Sequence, residues 1–516
     1  MYSGKHAINL ANRPAFIMAK TGEAVTCAEL EASSNKLAHL LRAQGLCRGD
    51  HYAVFMENNA RFIECCGAGA RSGLYYTCIN YFLTADEVAY IINNSQSQLL
   101  ITSEQKRDVA LKALEQCPNT KLCLIADGPG DGDRLSSLVE ATAKFPITTI
   151  NDEAYGAAML YSSGTTGRPK GIVRPLPDIP PDGSTPYGSF IASAWQIRDD
   201  MVYLSPAPLY HAAPHGGVNL TIRQGGTAVI MDRFDPERFL QLIEEHRVTH
   251  TQLVPTMFSR LLKLPEDVRN QYDVSSLEIA IHAAAPCPIP IKEQMIDWWG
   301  PVIYEYYGAT EGLGFADCTT EEWLAHKGTV GRVRFGELSI LDDDFNPCPT
   351  GTAGKLWFKS DEHFEYFNDP EKTAESRTPD GTKTTVGDIG YLDENGYLYL
   401  TDRASFMIIS GGVNVYPQEA ENLLITHPKV SDAAVFGVPN TDLGEEVKAV
   451  VQLMPEESGN AETEEELIEF CKEHLASIKC PRSIEFEKEL PRSATGKLYK
   501  RILRDRYWTN AADRNK

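Results

Sequence analysis

Residues 157–171 have the sequence Ala157-Ala158-Met159-Leu160-Tyr161-Ser162-Ser163-Gly164-Thr165-Thr166-Gly167-Arg168-Pro169-Lys170-Gly171. The first five predict a buried strand, and the ten that follow are rich in hydroxyl side chains and glycine. Glycine lets a backbone approach a ligand closely, and exposed N–H groups beside a lysine suit a polyphosphate. The glycine spacing is not that of a Walker A loop, in which serine or threonine follows the lysine. The segment therefore predicts a phosphate-binding loop of another kind, and a flexible polar loop is the alternative.

Helix and strand patterns alternate on both sides of this loop. Thr26 and Glu29 form a capping box that begins an amphipathic helix. Strands are predicted at 52–56, 99–102, 227–231 and 279–282, with helical stretches between them. Such alternation is typical of parallel strands covered by helices.

The pattern changes towards the C-terminus. From Gly387 onward the predicted strands are short, and residues 394–396 predict a hairpin turn. The sequence after Thr401 has the size of a small separate domain. We therefore predict an α/β protein in which a large N-terminal domain, residues 1–402, has parallel-rich sheets covered by helices. Residues 403–516 are predicted to form a small mobile C-terminal α+β domain.

Composition argues against several classes of protein. The 516 residues include 49 basic and 71 acidic side chains, and the formal charge of −22 would repel a nucleic-acid backbone. The N-terminal sequence lacks a signal-peptide pattern, and no stretch of about 18 apolar residues is long enough to span a membrane. We expect a cytoplasmic protein with no nucleic-acid partner and no transmembrane segment.

The twelve cysteines include no C-x-x-C pair. This spacing favours neither a disulfide framework nor a zinc knuckle. The adjacent Cys65 and Cys66 are predicted to be buried small apolar residues on a helix.

Further motifs follow the loop in order. They are Pro208-Leu209-Tyr210-His211, Ala284-Ala285-Pro286, Tyr306-Tyr307-Gly308-Ala309-Thr310-Glu311, Val386-Gly387-Asp388, Thr401-Asp402-Arg403, Gly411-Gly412-Val413-Asn414-Val415-Tyr416-Pro417 and Pro491-Arg492-Ser493-Ala494-Thr495-Gly496-Lys497. Together with the loop they resemble the signature of the adenylate-forming superfamily, which contains acyl-CoA synthetases, firefly luciferase and peptide-synthetase adenylation domains. The resemblance extends throughout the chain. It implies that ATP activates a carboxylic acid as an acyl-adenylate, with Mg²⁺ as cofactor and coenzyme A as co-substrate.

The resemblance assigns the nucleotide contacts. Tyr307 would lie against adenine, Asp388 would bind the ribose hydroxyls, and Arg403 would assist from the domain junction. Ser162 and Glu311 would hold Mg²⁺ between phosphate oxygens, because this hard cation prefers oxygen ligands. The other residues implied to bind cofactor are Ser163, Gly164, Thr165, Thr166, Gly167, Lys170, Ala284, Ala285, Pro286, Tyr306, Gly308, Gly411 and Gly412.

The residues implied to be catalytic are Lys497, Thr310, Glu311 and His211. Thr310 would contact the α-phosphate, and Lys497 would reach across from the small domain to the substrate carboxylate. A carboxylate attacking an anionic phosphate needs its charge neutralised in the transition state, so the lysine would act chiefly on adenylation.

A domain rotation is implied between the two half-reactions. Asp402 and Ser405 would be the hinge, and Gly411 and Gly412 would line the pantetheine tunnel after the rotation. Many members carry charged residues after Asp-Arg, whereas this chain has Ala404-Ser405-Phe406. Serine still permits the change of backbone dihedral angles that a hinge requires.

The acid is expected to be hydrophobic. Residues 208–214 resemble the corresponding stretch in bile-acid, steroid side-chain and fatty-acyl ligases. The small residues after His211 leave volume for a large tail or ring. Aromatic acids such as hydroxycinnamates or benzoates stay open. The implied pocket residues are Tyr210, His211, Ala212, Ala213, Gly216 and Gly217.

Coenzyme A is the expected acceptor because only nineteen residues follow Lys497, too few for a carrier domain. The rival interpretations are an adenylating enzyme that loads a separate carrier protein, a luciferase-like oxidative enzyme and a non-enzymatic nucleotide-binding regulator. Association as a homodimer is left open.

The motifs that contain Gly412 and Lys497 predict that each half-reaction can be impaired separately. Replacing Lys497 by Ala is expected to abolish adenylate formation while sparing thioester formation from supplied acyl-AMP. Gly412→Leu is expected to do the reverse, because its side chain would block the tunnel. Each half-reaction is assayed separately, and equal losses in both steps for either variant would contradict the assignment.

Overall fold

The computed structural model describes residues 1–162, 169–361, 363–403, 406–411, 413–492 and 498–508, with only the backbone described for Asp402 and Arg403. Its strands form four sheets, two of them large. The α/β fold class predicted from the sequence is confirmed.

The first sheet is entirely parallel. Its six strands are, in spatial order, Ser136–Ser137, Leu122–Ile125, Leu99–Thr102, His51–Phe55, Tyr75–Cys78 and Ala157–Ala158. Its neighbouring helices are Cys27–Ala43, Ala60–Arg71, Ala85–Asn94, Arg107–Leu114 and Leu138–Thr142, with a 3₁₀ turn at Glu104–Lys106. The predicted capping box begins the first of these helices: the Thr26 hydroxyl accepts from the Glu29 N–H at 3.2 Å, and Glu29 accepts from the Thr26 N–H at 2.9 Å.

The second sheet is mixed. Its thirteen strands are, in order, Glu337–Leu341, Gly354–Lys359, Asp388–Leu392, Tyr397–Arg403, Gly331–Phe335, Phe315–Cys318, Ile303–Gly308, Ile279–His282, His250–Leu253, Val202–Ser205, Thr227–Ile230, Pro14–Met18 and Ala24–Thr26. The run from Ile303–Gly308 to Pro14–Met18 is parallel, and the flanking strands are antiparallel. Helices along this part of the chain are Gly4–Asn9, Pro186–Ala194, Ala212–Gln224, Pro236–His246, Pro255–Leu262, Glu266–Arg269, Ile289–Trp299, Thr320–Ala325 and Pro370–Glu375.

The predicted strand 157–161 is divided between two sheets, which corrects the single strand expected from its apolar run. Ala157–Ala158 completes the parallel sheet, whereas Leu160–Ser162 pairs antiparallel with Lys170–Val173. Glu365–Tyr366 adds a third strand to this small sheet. An apolar run fixes burial but not the strand partner, so the break at Met159 depends on tertiary pairing.

The C-terminal part folds around its own sheet and core. Its strands are Ile408–Ser410, Val413–Val415, Val430–Asn440, Gly444–Leu453 and Ser483–Phe486, and its helices are Gln418–Thr426, Ala461–His474 and Lys500–Arg504, with a 3₁₀ turn at Ser477–Lys479. The core residues include Ile408, Val435 and Leu467. Tyr397–Arg403 still belongs to the thirteen-stranded sheet, whereas Ile408–Ser410 belongs to the C-terminal sheet. The chain therefore passes from one sheet to the other between Arg403 and Ile408. The boundary after residue 402 stays a prediction.

Among the described residues, no helix combines the length and the apolar character that crossing a bilayer requires.

A buried ion pair fixes the strand Ile303–Gly308. The Lys292 ammonium donates to the Glu305 carboxylate at 2.6 Å, and both side chains are buried. Lys292 also lies 4.6 Å from the centroid of the Trp323 ring. The His282 ring nitrogen Nε2 is 3.4 Å from the same carboxylate, and burial, followed by the Lys292 charge, holds the pKa of His282 well below its ordinary value. The neutral imidazole therefore leaves Lys292 as the positive partner.

Replacing Lys292 by Ala is expected to lower the free energy of unfolding by roughly 3–5 kcal/mol, because Glu305 keeps a buried charge without its partner. Chemical denaturation measures the change. The matched control is Lys20→Ala, whose ion pair with Asp232 is 3.7 Å long and exposed, so that stability stays nearly unchanged. Equal losses in the two variants would show that the buried pair does not anchor the strand.

Candidate functional site

One large cavity, with a volume of about 1750 Å³, lies where the parallel strands of the mixed sheet end and the C-terminal part of the chain faces them. The predicted residues that line it are Ser162, Lys170, Tyr210, His211, Ala212, Ala213, Gly216, Gly217, Ala284, Ala285, Pro286, Tyr306, Tyr307, Gly308, Thr310, Glu311 and Asp388. Polar groups at the carboxyl ends of parallel strands are the usual ligand contacts of open α/β sheets.

Other predicted residues are not placed in the cavity. Gly411 lies in an exposed turn, where its N–H donates to the Leu443 carbonyl at 2.8 Å. The predicted residues outside the described part of the chain are Ser163, Gly164, Thr165, Thr166, Gly167, Ser405, Gly412 and Lys497. Their roles, and those of the Asp402 and Arg403 side chains, stay predictions.

Two predicted nucleotide residues contact each other directly. The Tyr307 hydroxyl donates to Oδ2 of Asp388 at 2.7 Å, and both side chains are buried. Tyr307 comes from the last parallel strand, and Asp388 begins a strand four positions further along the same sheet. The hydrogen bond orients the carboxylate and joins the parallel part of the sheet to its antiparallel part.

The Glu311 carboxylate is oriented by a residue that the sequence did not indicate. The Tyr366 hydroxyl donates to Oε1 of Glu311 at 2.9 Å, and the Lys170 ammonium lies 5.0 Å from the centroid of the same tyrosine ring. Burial, followed by the nearby Lys372, lowers the pKa of Lys170. Ser162 pairs directly with Lys170 across the small sheet. These contacts bring the Lys170 ammonium and the Glu311 carboxylate to one aromatic residue, Tyr366.

Arg174 is a second residue that sequence reasoning missed. Its guanidinium donates to the main-chain carbonyls of Thr310 and Glu311, the latter at 3.4 Å. The turn continues at Gly312, whose φ of 68° favours glycine. Arg174 therefore holds the backbone from which Thr310 and Glu311 project.

Another part of the cavity lining consists of aromatic and small residues. Tyr210 and His211 precede the helix Ala212–Gln224, and their ring centroids are 4.2 Å apart. The Tyr81 ring meets Tyr210 edge-on at 5.5 Å, and burial raises the pKa of Tyr210 well above its ordinary value. The neutral Tyr210 ring thus lines the cavity beside His211, with Tyr81 packed against it.

The two glycines of this helix have different surroundings. No atom lies within 4 Å of the Cβ position at Gly216, so this residue leaves open space. A Cβ at Gly217 would collide with the hydroxyl of Tyr203. Gly217 therefore permits close packing, while Gly216 contributes volume to the cavity.

The C-terminal part reaches the same cavity. Leu498, Tyr499 and Lys500 line it, and an antiparallel bridge joins Leu498 to Arg492. Lys263 of the large domain donates to the Val430 carbonyl at 3.0 Å. The two residues that flank positions 493–497 therefore lie at the cavity.

Comparison with known proteins supports the family resemblance. The AMP-binding enzyme family matches residues 5–366, and the AMP-binding enzyme C-terminal domain matches residues 419–497. The chain is 32% identical over 505 residues to the long-chain-fatty-acid–CoA ligase FadD13 of Mycobacterium tuberculosis, covering 96% of this chain and 95% of the relative. It is 31% identical to the crotonobetaine/carnitine–CoA ligase of Salmonella paratyphi A, covering 92% of each chain.

A solved structure has the same architecture. The anthranilate CoA ligase AuaEII in complex with anthranoyl-AMP superposes with a TM-score of 0.85 at 24% identity, covering 98% of this chain and 96% of that one. At this identity the match is a match of fold.

Gly312→Ala is expected to lower the free energy of unfolding by about 1–2 kcal/mol, because alanine at positive φ is strained. Its Cβ would also lie 2.5 Å from the Arg174 guanidinium. Gly308→Ala is the matched control, since the nearest atom to its Cβ position is 3.5 Å away and its φ is not positive. Denaturant unfolding compares the two variants, and an equal or larger loss for Gly308→Ala would contradict the role of the turn.

Proposed function

We propose that this chain, which belongs to the AMP-binding enzyme family, is an ATP-dependent, AMP-forming carboxylic acid–CoA ligase that acts on a hydrophobic acid. The observation that carries the proposal is the single cavity of about 1750 Å³, which joins the nucleotide residues Asp388 and Glu311 to the aromatic wall at Tyr210. One cavity of this kind accommodates a nucleotide and an acid side by side, as an in-line attack requires.

The nucleotide is proposed to bind at the end where Tyr307 meets Asp388. The two carboxylate oxygens suit the two ribose hydroxyls, and the 2.7 Å hydrogen bond from Tyr307 keeps the carboxylate in one orientation. Ala284, Ala285 and Pro286 line the same cavity and offer main-chain groups to the base. The loop after Ser162 is proposed to hold the phosphates, with Lys170 supplying positive charge.

The oxygen atoms of Glu311 and Ser162 are suitable ligands for a magnesium ion. Glu311 offers a carboxylate oriented by Tyr366, and Ser162 lines the same cavity with a hydroxyl. Such oxygen ligands are those that Mg²⁺ takes alongside substrate phosphates. When bound there, the ion would neutralise phosphate charge as pyrophosphate departs.

The first half-reaction joins the acid to AMP. An oxygen of the substrate carboxylate attacks the α-phosphorus of ATP, and the bond to pyrophosphate breaks. Thr310 is proposed to contact the α-phosphate, and His211 to lie beside the reacting carboxylate. Lys497 is proposed to balance the charge that builds up between the two anions.

The second half-reaction transfers the acyl group to coenzyme A. The thiol sulfur attacks the acyl carbonyl carbon, the bond to AMP breaks, and the thiol proton leaves to solvent. We propose that the C-terminal part rotates about Asp402 to Ser405 between the steps, which withdraws Lys497 and brings Gly412 forward. Both relatives named above are CoA ligases, which supports this acceptor over a carrier protein.

The acid is proposed to extend along the helix Ala212–Gln224. The open space at Gly216 and the neutral ring of Tyr210 suit an apolar tail or a ring system. The relatives differ in their acids, a long-chain fatty acid in one and crotonobetaine or carnitine in another. The proposal therefore extends to fatty, steroid-type and aryl acids.

The deciding experiment offers the purified enzyme Mg²⁺, ATP and a panel of fatty, steroid and aryl acids, with and without coenzyme A. We expect acid-dependent exchange of labelled pyrophosphate into ATP, and net AMP release that requires coenzyme A. Exchange without CoA-dependent AMP release would favour a carrier-protein acceptor. Oxygen consumption would favour a luciferase-like enzyme, and the absence of exchange with every acid would refute adenylation.

Tyr366→Phe is expected to raise the Mg²⁺ concentration for half-maximal rate by about 10-fold, because residues that orient a metal ligand typically contribute that much to affinity. The variant keeps the ring beneath Lys170 and removes only the hydroxyl that orients Glu311. Tyr391→Phe is the control, since Tyr391 stacks on Tyr399 in the hairpin at 5.0 Å. The same Mg²⁺ dependence in both variants would contradict the proposed metal position.

A further inference from the structure

A cluster of two cysteines and one histidine lies beside the acid end of the cavity. Cys66, Cys78 and His215 are all buried, and one ligand atom from each lies within 4.8 Å of the other two. The two sulfur atoms are 3.8 Å apart. We propose that these three side chains bind a divalent cation that prefers sulfur and nitrogen ligands, with zinc as the representative ion.

The sulfur separation suits such an ion. With Zn–S bonds of about 2.3 Å and tetrahedral angles, two thiolate ligands stand about 3.8 Å apart. Cys66 projects from the helix Ala60–Arg71, Cys78 ends the strand Tyr75–Cys78, and His215 lies in the helix Ala212–Gln224. Because each ligand lies on regular structure, the three ligand atoms are already brought together before an ion binds.

The hydrogen bonding of His215 leaves the correct nitrogen for a metal. Its Nδ1 lies 3.3 Å from the Leu209 carbonyl, and a carbonyl can only accept, so Nδ1 carries the proton. In a neutral imidazole the lone pair is then on Nε2. Metal-binding histidines commonly donate their second nitrogen to a backbone carbonyl in this way.

Charge balance at the cluster favours a divalent cation. Two thiolates and a neutral imidazole around a divalent ion have no net charge, which removes the cost of burying an isolated charge. Because a thiol binds the ion as its thiolate, binding releases one proton from each cysteine.

The cluster has a route by which an ion could enter, and one of its ligand atoms already makes a hydrogen bond that an ion would replace. Tyr76, Cys78 and His215 line the large cavity, which gives an ion access to the cluster. The Tyr76 hydroxyl lies 3.3 Å from Nε2 of His215, a long hydrogen bond that a metal on this nitrogen would replace. A bound ion would tie the helix that forms the acid wall to the parallel sheet. This inference does not depend on the proposed ligase activity.

The test measures metal in the intact protein. The chain is purified under reducing conditions, freed of metal with a chelator, dialysed against zinc and analysed for bound ion. We expect one zinc per chain, a higher melting temperature with zinc, and, with cobalt in place of zinc, a thiolate-to-metal charge-transfer absorption band. Ligand binding to the native state alone raises stability in this way.

Cys65 provides a matched control because it is buried and directly precedes Cys66, but its side chain is not in the cluster. Cys66→Ser and His215→Gln are expected to lose the stoichiometric zinc, the cobalt band and the shift in melting temperature, whereas Cys65→Ser keeps all three. His215→Gln tests the site without touching a thiol. Substoichiometric zinc in the unsubstituted chain, or equal zinc binding by Cys65→Ser and Cys66→Ser, would overturn the proposal.

Discussion

The arrangement of the cavity depends on a buried ion pair beneath it. Lys292 and Glu305 meet at 2.6 Å without solvent, and Glu305 is followed directly by Tyr306 and Tyr307. A buried charge tolerates little displacement from its partner, because leaving it unpaired costs several kcal/mol. The pair therefore fixes the position of the strand whose end carries the turn with Thr310 and Glu311. Short hydrogen bonds connect this strand and the turn after it to Asp388 and Tyr366.

Those hydrogen bonds join segments that are far apart in the chain. Tyr307 reaches Asp388, and Tyr366 reaches Glu311, in each case through a phenol that donates to a buried carboxylate. A carboxylate held by one such donor keeps its second oxygen oriented for a ligand. The part of the cavity beside Tyr210 is formed instead by an aromatic ring and the small residues at the start of the helix Ala212–Gln224. The contrast agrees with a protein family that shares one activation chemistry while its named members act on different acids.

Much of the fold and the candidate site was predictable from residue patterns. The capping box at Thr26, the strands at 99–102 and 279–282, and the hairpin after Gly387 follow from local periodicity and turn chemistry, and the structure has all of them. The predicted site residues whose side chains the structure describes line one cavity, apart from Gly411. The division of 157–161 between two sheets was not predictable, because strand pairing is decided by partners far away in the sequence. Tyr366 and Arg174 were missed for the same reason.

The sequence by itself determined the family and the order of the motifs, because these depend on residue types at fixed short spacings. Tertiary structure alone decided which side chains meet. It brought Tyr366 to Glu311, and it assembled Cys66, Cys78 and His215 from a helix, a strand and a second helix. The spacing of residues along the sequence does not predict such contacts, because they join segments that are far apart in the chain. They form only when the sheets and helices pack together and buried polar atoms find hydrogen-bond partners.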